Sequence, residues 1–250
     1  MDPEIEREAL RRSYRLSRIG FSLLALALVV GSIYSIGWLL LIFTGHRPDL
    51  GRLLGIARFE FLVDTFRTGL RITGAFCLYA AWPETTWRRR AGLLLVMSMV
   101  DVVLWGTEYA VSLGLATEPI KHEIFRQSLS MAFSWAKLTL YAGLAADVAH
   151  HLGVAQAPDL VKAARATATT GATLWFVFFL KRINWQQPWP LAEHPMNEEM
   201  VLFYLAIRVI AAICLVQTSL LTLMASRESG RALRDMAKED KAFNPWLTAR

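Results

Sequence analysis

Apolar residues in this chain gather into long blocks with polar residues confined largely to the gaps between them, rather than forming the single apolar stripe of a soluble helix. A run of roughly 20 apolar residues is enough to cross a bilayer as a helix. Blocks of that kind predict spans at about residues 20–44, 60–82, 91–116, 128–149, 165–181 and 200–225. The fold class expected is therefore all-α: a polytopic membrane helix bundle of about six transmembrane helices. Residues 19–226 would form the bundle, between an N-terminal helix or tail at 1–18 and a C-terminal tail at 227–250.

The block at 91–116 organises the rest because it carries Asp101 and Glu108 within an otherwise apolar run. Seven residues return to nearly the same helix face, so both carboxylates point one way. Charge at membrane depth is costly and normally faces a bundle interior, a partner or water. Cations must then come from other spans, and Arg71, Lys137 and Arg208 are available. On the second block Glu60, Asp64, Arg67 and Arg71 recur at steps of four, three and four, one stripe that predicts a long helix with its charged side inward. On the fourth, Ser134, Lys137 and Tyr141 share a side.

The connections have their own signals. Residues 1–18 run from acidic to basic after Asp2 and Pro3, as a cytoplasmic helix leading into the first span would. Pro83 lies between Trp82 and Trp87, followed by Arg88, Arg89 and Arg90, a pattern expected of a turn at the membrane interface. Trp185 and Trp189 read as interface anchors in the loop before the last span. Small residues four apart, at Ala27, Gly31 and Ser35 and again at Ala164, Ala168 and Ala172, allow another helix to approach closely.

Composition sharpens this picture. The 250 residues are 54% hydrophobic, above the usual range for soluble domains, and mean hydropathy is +0.35. Cys77 and Cys214 both fall inside apolar blocks, which argues against a disulfide framework or a structural zinc site. The net charge of +6 would suit nucleic acid or a membrane surface, but the basic residues collect beside the ends of apolar blocks and interleave with no aromatic recognition motif. No nucleic-acid partner is expected. The expected surroundings are a lipid bilayer, with a membrane-protein partner or a second copy of the chain.

Basic residues also orient the spans. With both termini cytoplasmic, sixteen of the 27 fall on the inner side, eight on the outer, and three within spans. This orientation suits a bacterial inner membrane. Counting rise per residue from the ends of the blocks then gives two layers of charge. Glu108, Lys137 and Arg208 share an outer layer, while Asp101 and Arg71 share a deeper one. The expected pairings are Asp101 with Arg71, and Glu108 with Lys137 or Arg208.

Three uses of this seam, Arg71, Asp101, Glu108, Lys137, Tyr141 and Arg208, follow from the residue types. Buried pairs can fix which helices neighbour each other, making the chain a non-enzymatic scaffold or assembly subunit. The same groups can carry a proton, an ion or a small anion. An enzyme ranks third and rests on Asp147, His150 and His151, whose three- and four-residue spacings could present ligands to a metal. No second His or Cys cluster completes that set. No serine-nucleophile elbow, phosphate loop or zinc-protease helix occurs, and no motif implies a cofactor.

Overall fold

The computed structural model is all-helical apart from one pair of two-residue strands. It describes residues 3–43, 50–112, 120–152, 157–184, 192–193 and 198–243. Within them, side chains are described except at 3, 38, 41–43, 50–60, 105, 108–109, 111–112, 120–128, 157, 182–184, 192–193 and 241–243. Six helices occur in these ranges: α1 (Pro3–Phe43), α2 (Leu50–Ala81), α3 (Thr85–Ser112), α4 (Ile120–His151), α5 (Ala157–Arg182) and α6 (Glu198–Phe243). Strands β1 (Ile183–Asn184) and β2 (Ala192–Glu193) pair antiparallel within the connection from α5 to α6.

Apart from Trp82, just past α2, the described part of each apolar block lies within one helix, and every helix extends past its block on at least one side. The N-terminal charged segment and the first block form one continuous helix of 41 residues. Residues 50–56 begin α2, which supports the long-helix reading of the charged stripe. Pro83, which lacks an N–H, lies in the three-residue break between α2 and α3. Gly153, expected to stop the fourth helix, and the Trp185 and Trp189 anchors lie outside the described residues.

Consecutive helices pack side by side, and α1 closes the ring against α6, its most extensive contact, while α4 also touches α6 across the interior. Glycine makes the α1–α2 crossing possible. A Cβ on Gly20 would lie 3.0 Å from the carbonyl oxygen of Gly74, and a Cβ on Gly74 would lie 3.0 Å from that of Gly20. Only backbone without side chains can pass this close.

Several residues of the small-residue faces pack inside the bundle. Ala27, Ala164 and Ala168 are buried, and the Cys214 thiol of α6 points at the Ala164 carbonyl 3.8 Å away. Buried hydroxyls occur where α1 meets α6 and along α6 itself. Ser22 and Ser226 share a hydrogen bond of 2.6 Å, and Ser226 donates to the Arg18 carbonyl at 3.2 Å. Thr218, Thr222 and Ser229 donate to carbonyls of their own helix, the usual way a helix silences a buried hydroxyl.

The outward faces are apolar. Ile33 on α1, Leu62 on α2, Val96 and Val103 on α3, and Leu202 and Leu220 on α6 are each more than half exposed. Among the described residues, two helices carry segments long and apolar enough to cross a membrane, 4–37 and 198–240, with mean hydropathies of 2.2 and 2.3 over their best windows. The other blocks are diluted by interior charge, as on α2, or run into residues whose side chains are not described, as on α3.

At the α2–α3 turn Trp82 and Trp87 are buried. Trp82 donates to the Ser17 hydroxyl at 2.8 Å and meets Tyr14 edge-on at 5.3 Å; Trp87 donates to the Leu78 carbonyl at 2.6 Å. Folding the turn inward buries large rings while each N–H finds an acceptor.

Candidate functional site

The polar side chains of α2, α3 and α4 converge on one point between the three helices. From α2 come Asp64, Arg67 and Arg71, the stripe whose spacing puts them on one face. Arg67 donates to Asp64 at 2.8 Å, one turn back on the same helix. Arg71 reaches across to α3, with Nη1 3.7 Å from Asp101 Oδ2. Lys137 of α4 forms an ion pair with that same oxygen. One carboxylate therefore joins three helices.

Lys137 is 3% exposed along its side chain and Asp101 14%. A charge buried to this extent persists only with a counter-charge in contact, because desolvation otherwise costs more than folding can offset. A turn away, Tyr141 and Ser98 are also buried. The phenol lies beside the Ser98 hydroxyl without a well-formed hydrogen bond, while Ser98 itself donates to the Leu94 carbonyl. Asp101 Oδ1 and Arg67 Nε are likewise buried without a hydrogen-bond partner.

Helix α1 supplies the fourth wall. A Cβ on Gly31 would lie 2.5 Å from Nη2 of Arg67 and 3.0 Å from its Cζ, so glycine there lets the guanidinium rest against the α1 backbone. Arg67 thus belongs to the interior set, as the inward stripe of the second block predicts. Among the described side chains, three cations, Arg67, Arg71 and Lys137, face two carboxylates, Asp64 and Asp101, an excess of one positive charge.

The expected pairings need two corrections. Asp101 with Arg71 is present, but Lys137, expected level with Glu108, joins Asp101 as well. Helices α3 and α4 run antiparallel in one register that sets Asp101 opposite Lys137, Ser98 opposite Tyr141 and Arg90 opposite Asp147. Depths counted from the ends of apolar blocks assume those ends are level. Helix α4 begins eight residues before its block, at Ile120, and the count fails by about two turns. The Glu108 side chain lies outside the described set.

The second correction concerns Arg208. It is exposed, its Nε donating 2.7 Å to the Tyr204 hydroxyl and its guanidinium 5.0 Å from that ring's centroid. Ile207 takes the inward direction on α6. Depth alone gives no azimuth around a helix.

The third candidate set does not assemble as a metal centre. Asp147 is bound by Arg90 at 2.5 Å, His150 is exposed, and His151 meets Trp82 edge-on at 5.4 Å between ring centroids. Among the described residues no three His, Cys, Asp or Glu groups converge as a metal site would require. Both cysteines are free thiols, far apart in the helix order.

Comparison with protein-family models, with curated proteins and with solved structures gave no match. Functional reasoning rests on this geometry.

Proposed function

We propose that the chain is a six-span protein of a bacterial inner membrane, with both termini in the cytoplasm, acting as a non-enzymatic scaffold or subunit of a membrane assembly. The shortest of the six helices has 26 residues, about 39 Å at the usual rise, longer than the roughly 30 Å hydrocarbon core. Apolar side chains outside and serines, threonines and charges inside are the distribution a lipid solvent favours. The observation that carries the scaffold reading is Asp101 held by Arg71 and Lys137. Such a junction fixes the neighbours and register of α2, α3 and α4 at once.

Transport of a proton, an ion or a small anion along the same centre is the second reading. The excess cation favours it, as do the Asp101 oxygen and Arg67 nitrogen that lack hydrogen bonds. Purification in mild detergent followed by reconstitution separates the two. A partner that co-elutes in fixed stoichiometry, with no flux through vesicles containing the chain, supports the scaffold. A lone chain whose proton or anion flux disappears in Asp101→Asn overturns it in favour of transport. Topology is tested separately with single cysteines in a background lacking Cys77 and Cys214. Labelling of a cysteine at Glu84 only from the cytoplasmic side, and of one at His46 only from the opposite side, supports six spans. The reverse pattern overturns the orientation.

A further inference from the structure

The outward face of α6 changes character toward its C-terminal end. Ile213, Val216, Leu220 and Leu223 are exposed along it, and the same steps of three and four continue into Arg227, Arg231 and Arg234, also exposed. From Ile213 to Leu223 is about 15 Å, the hydrocarbon depth of one leaflet. The arginines begin one turn further on.

A fourth arginine joins them from α1. A Cβ on Gly230 would lie 3.2 Å from Nε of Arg18 and 3.4 Å from its Cδ, so the exposed Arg18 side chain lies along α6 where glycine leaves room. Gly230 comes three residues after Arg227 and four before Arg234, and Arg18 therefore crosses α6 between the turns that carry them. Among the described residues, the side chains of Arg18, Arg227 and Arg234 have no ion pair or hydrogen bond, whereas Arg231 is paired with Glu228 at 2.6 Å and Asp235 with Lys238 at 3.1 Å. Other arginines at this end of the bundle are answered, Arg7 and Arg11 from α6 and Arg90 by Asp147. Like charges a turn apart repel, and an anion held among them removes the repulsion. Charge that only orients spans needs no common face, but these arginines gather on one.

Charge alone would suit free phosphate or an acidic protein segment. The apolar face running into the arginines separates these from an amphiphile, which meets both at once. Here the inference rests on α1 and α6 crossing the membrane as proposed above, and among the described residues these are the two helices long and apolar enough to do so.

We infer that this corner of the α1–α6 pair binds an anionic phospholipid of the cytoplasmic leaflet. Its phosphate sits among Arg18, Arg227 and Arg234, whose planar forks suit phosphate oxygens, and an acyl chain follows Leu223, Leu220 and Val216. A headgroup without a cation of its own, as in phosphatidylglycerol, answers the uncompensated charge. The choline of phosphatidylcholine would meet arginines instead.

The test uses the full chain in dodecyl maltoside, with phosphatidylglycerol, phosphatidylcholine and inorganic phosphate as probes. Lipid retained through gel filtration and the thermal midpoint are the readouts. Saturable retention of about one phosphatidylglycerol per chain is expected, with a raised midpoint and with loss as salt is added. Each basic residue at an anionic surface is worth about fivefold in binding, so Arg227→Gln with Arg234→Gln should weaken retention by roughly 25-fold. The matched change Arg88→Gln with Arg89→Gln, on exposed arginines of α3, should weaken it by less than about twofold. Equal weakening by the two pairs overturns the inference, because binding would then be diffuse attraction to charge. Equal retention of phosphatidylcholine overturns it too, as does displacement by phosphate beyond that by chloride at the same ionic strength. Crosslinking from a photoreactive group at Arg227 to a polypeptide rather than to lipid in native membranes would assign the face to a protein and likewise overturn it. Reconstitution is scored separately. A chain stripped from vesicles by alkaline carbonate would overturn the six-span reading itself, a result distinct from stable insertion without lipid preference.

Discussion

The α1–α6 seam and the α2–α3–α4 centre both bury polar groups, but they satisfy them differently. Along the seam each hydroxyl has a near acceptor: Ser22 and Ser226 share one bond, while Thr218, Thr222 and Ser229 use the carbonyl a turn below. At the centre one carboxylate answers two cations, and Asp101 Oδ1 has no hydrogen bond. The seam is redundant, so losing one hydroxyl leaves the others in place. The centre is not, because removing Asp101 strands two charges from two other helices. The seam supplies extent of contact, and the centre decides which helices meet.

The largest expected effect is therefore at Asp101. Asp101→Asn should cost about 3–5 kcal/mol, the usual consequence of leaving buried charge without its partner. It would show as loss of folded protein in detergent and a lowered unfolding midpoint. Lys137→Met should cost less, because Arg71 remains beside the carboxylate. If the two substitutions are equally damaging, Arg71 contributes nothing to Asp101.

Helix crossings come next. Gly74→Ala places a methyl 2.9 Å from Leu24 Cγ and 3.0 Å from the Gly20 carbonyl oxygen, and should cost about 1–3 kcal/mol through overpacking. Gly69→Ala, where nothing lies within 4 Å, should leave stability unchanged or slightly raised. Comparable losses at both positions would mean that the α1–α2 approach is not as close as described.

On the seam Ser226→Ala should cost about 1 kcal/mol, the net worth of one buried hydrogen bond. A loss as large as that at Asp101 would erase the contrast between the two regions. Smallest of all are the exposed pairs Arg7 with Glu239 and Arg11 with Asp240, which tie the ends of α1 and α6. Removing both arginines should change stability by less than about 1 kcal/mol, and added salt should abolish even that difference.

Much of this architecture is visible in the residue pattern. Apolar blocks mark each helix, and the spacing of Asp64, Arg67 and Arg71 at three and four residues tells that α2 is one helix with a charged stripe. Register is less legible. Lys137 meets Asp101 because α4 begins at Ile120, well before its apolar block, and no local pattern records which turn faces which. Arg208 illustrates the same limit in rotation, since its direction is set by how Ile207 packs. The burial of Trp82 and Trp87 is not legible in sequence, because it depends on the close path of α1 past the turn, with Ser17 as the acceptor for Trp82. The role of Gly31 as a seat for Arg67 is visible only once α1 and α2 are placed together.

The most direct measurement of the account is a double-mutant cycle on Asp101 and Lys137, using Asp101→Asn, Lys137→Met and the pair together, read by reversible unfolding in detergent. A coupling of about 2–3 kcal/mol is predicted, with the double variant more stable than the sum of the single losses implies. The same cycle run between Asp101 and the exposed Arg208 should be additive. Additivity between Asp101 and Lys137 would contradict the claim that one shared carboxylate holds the three helices together.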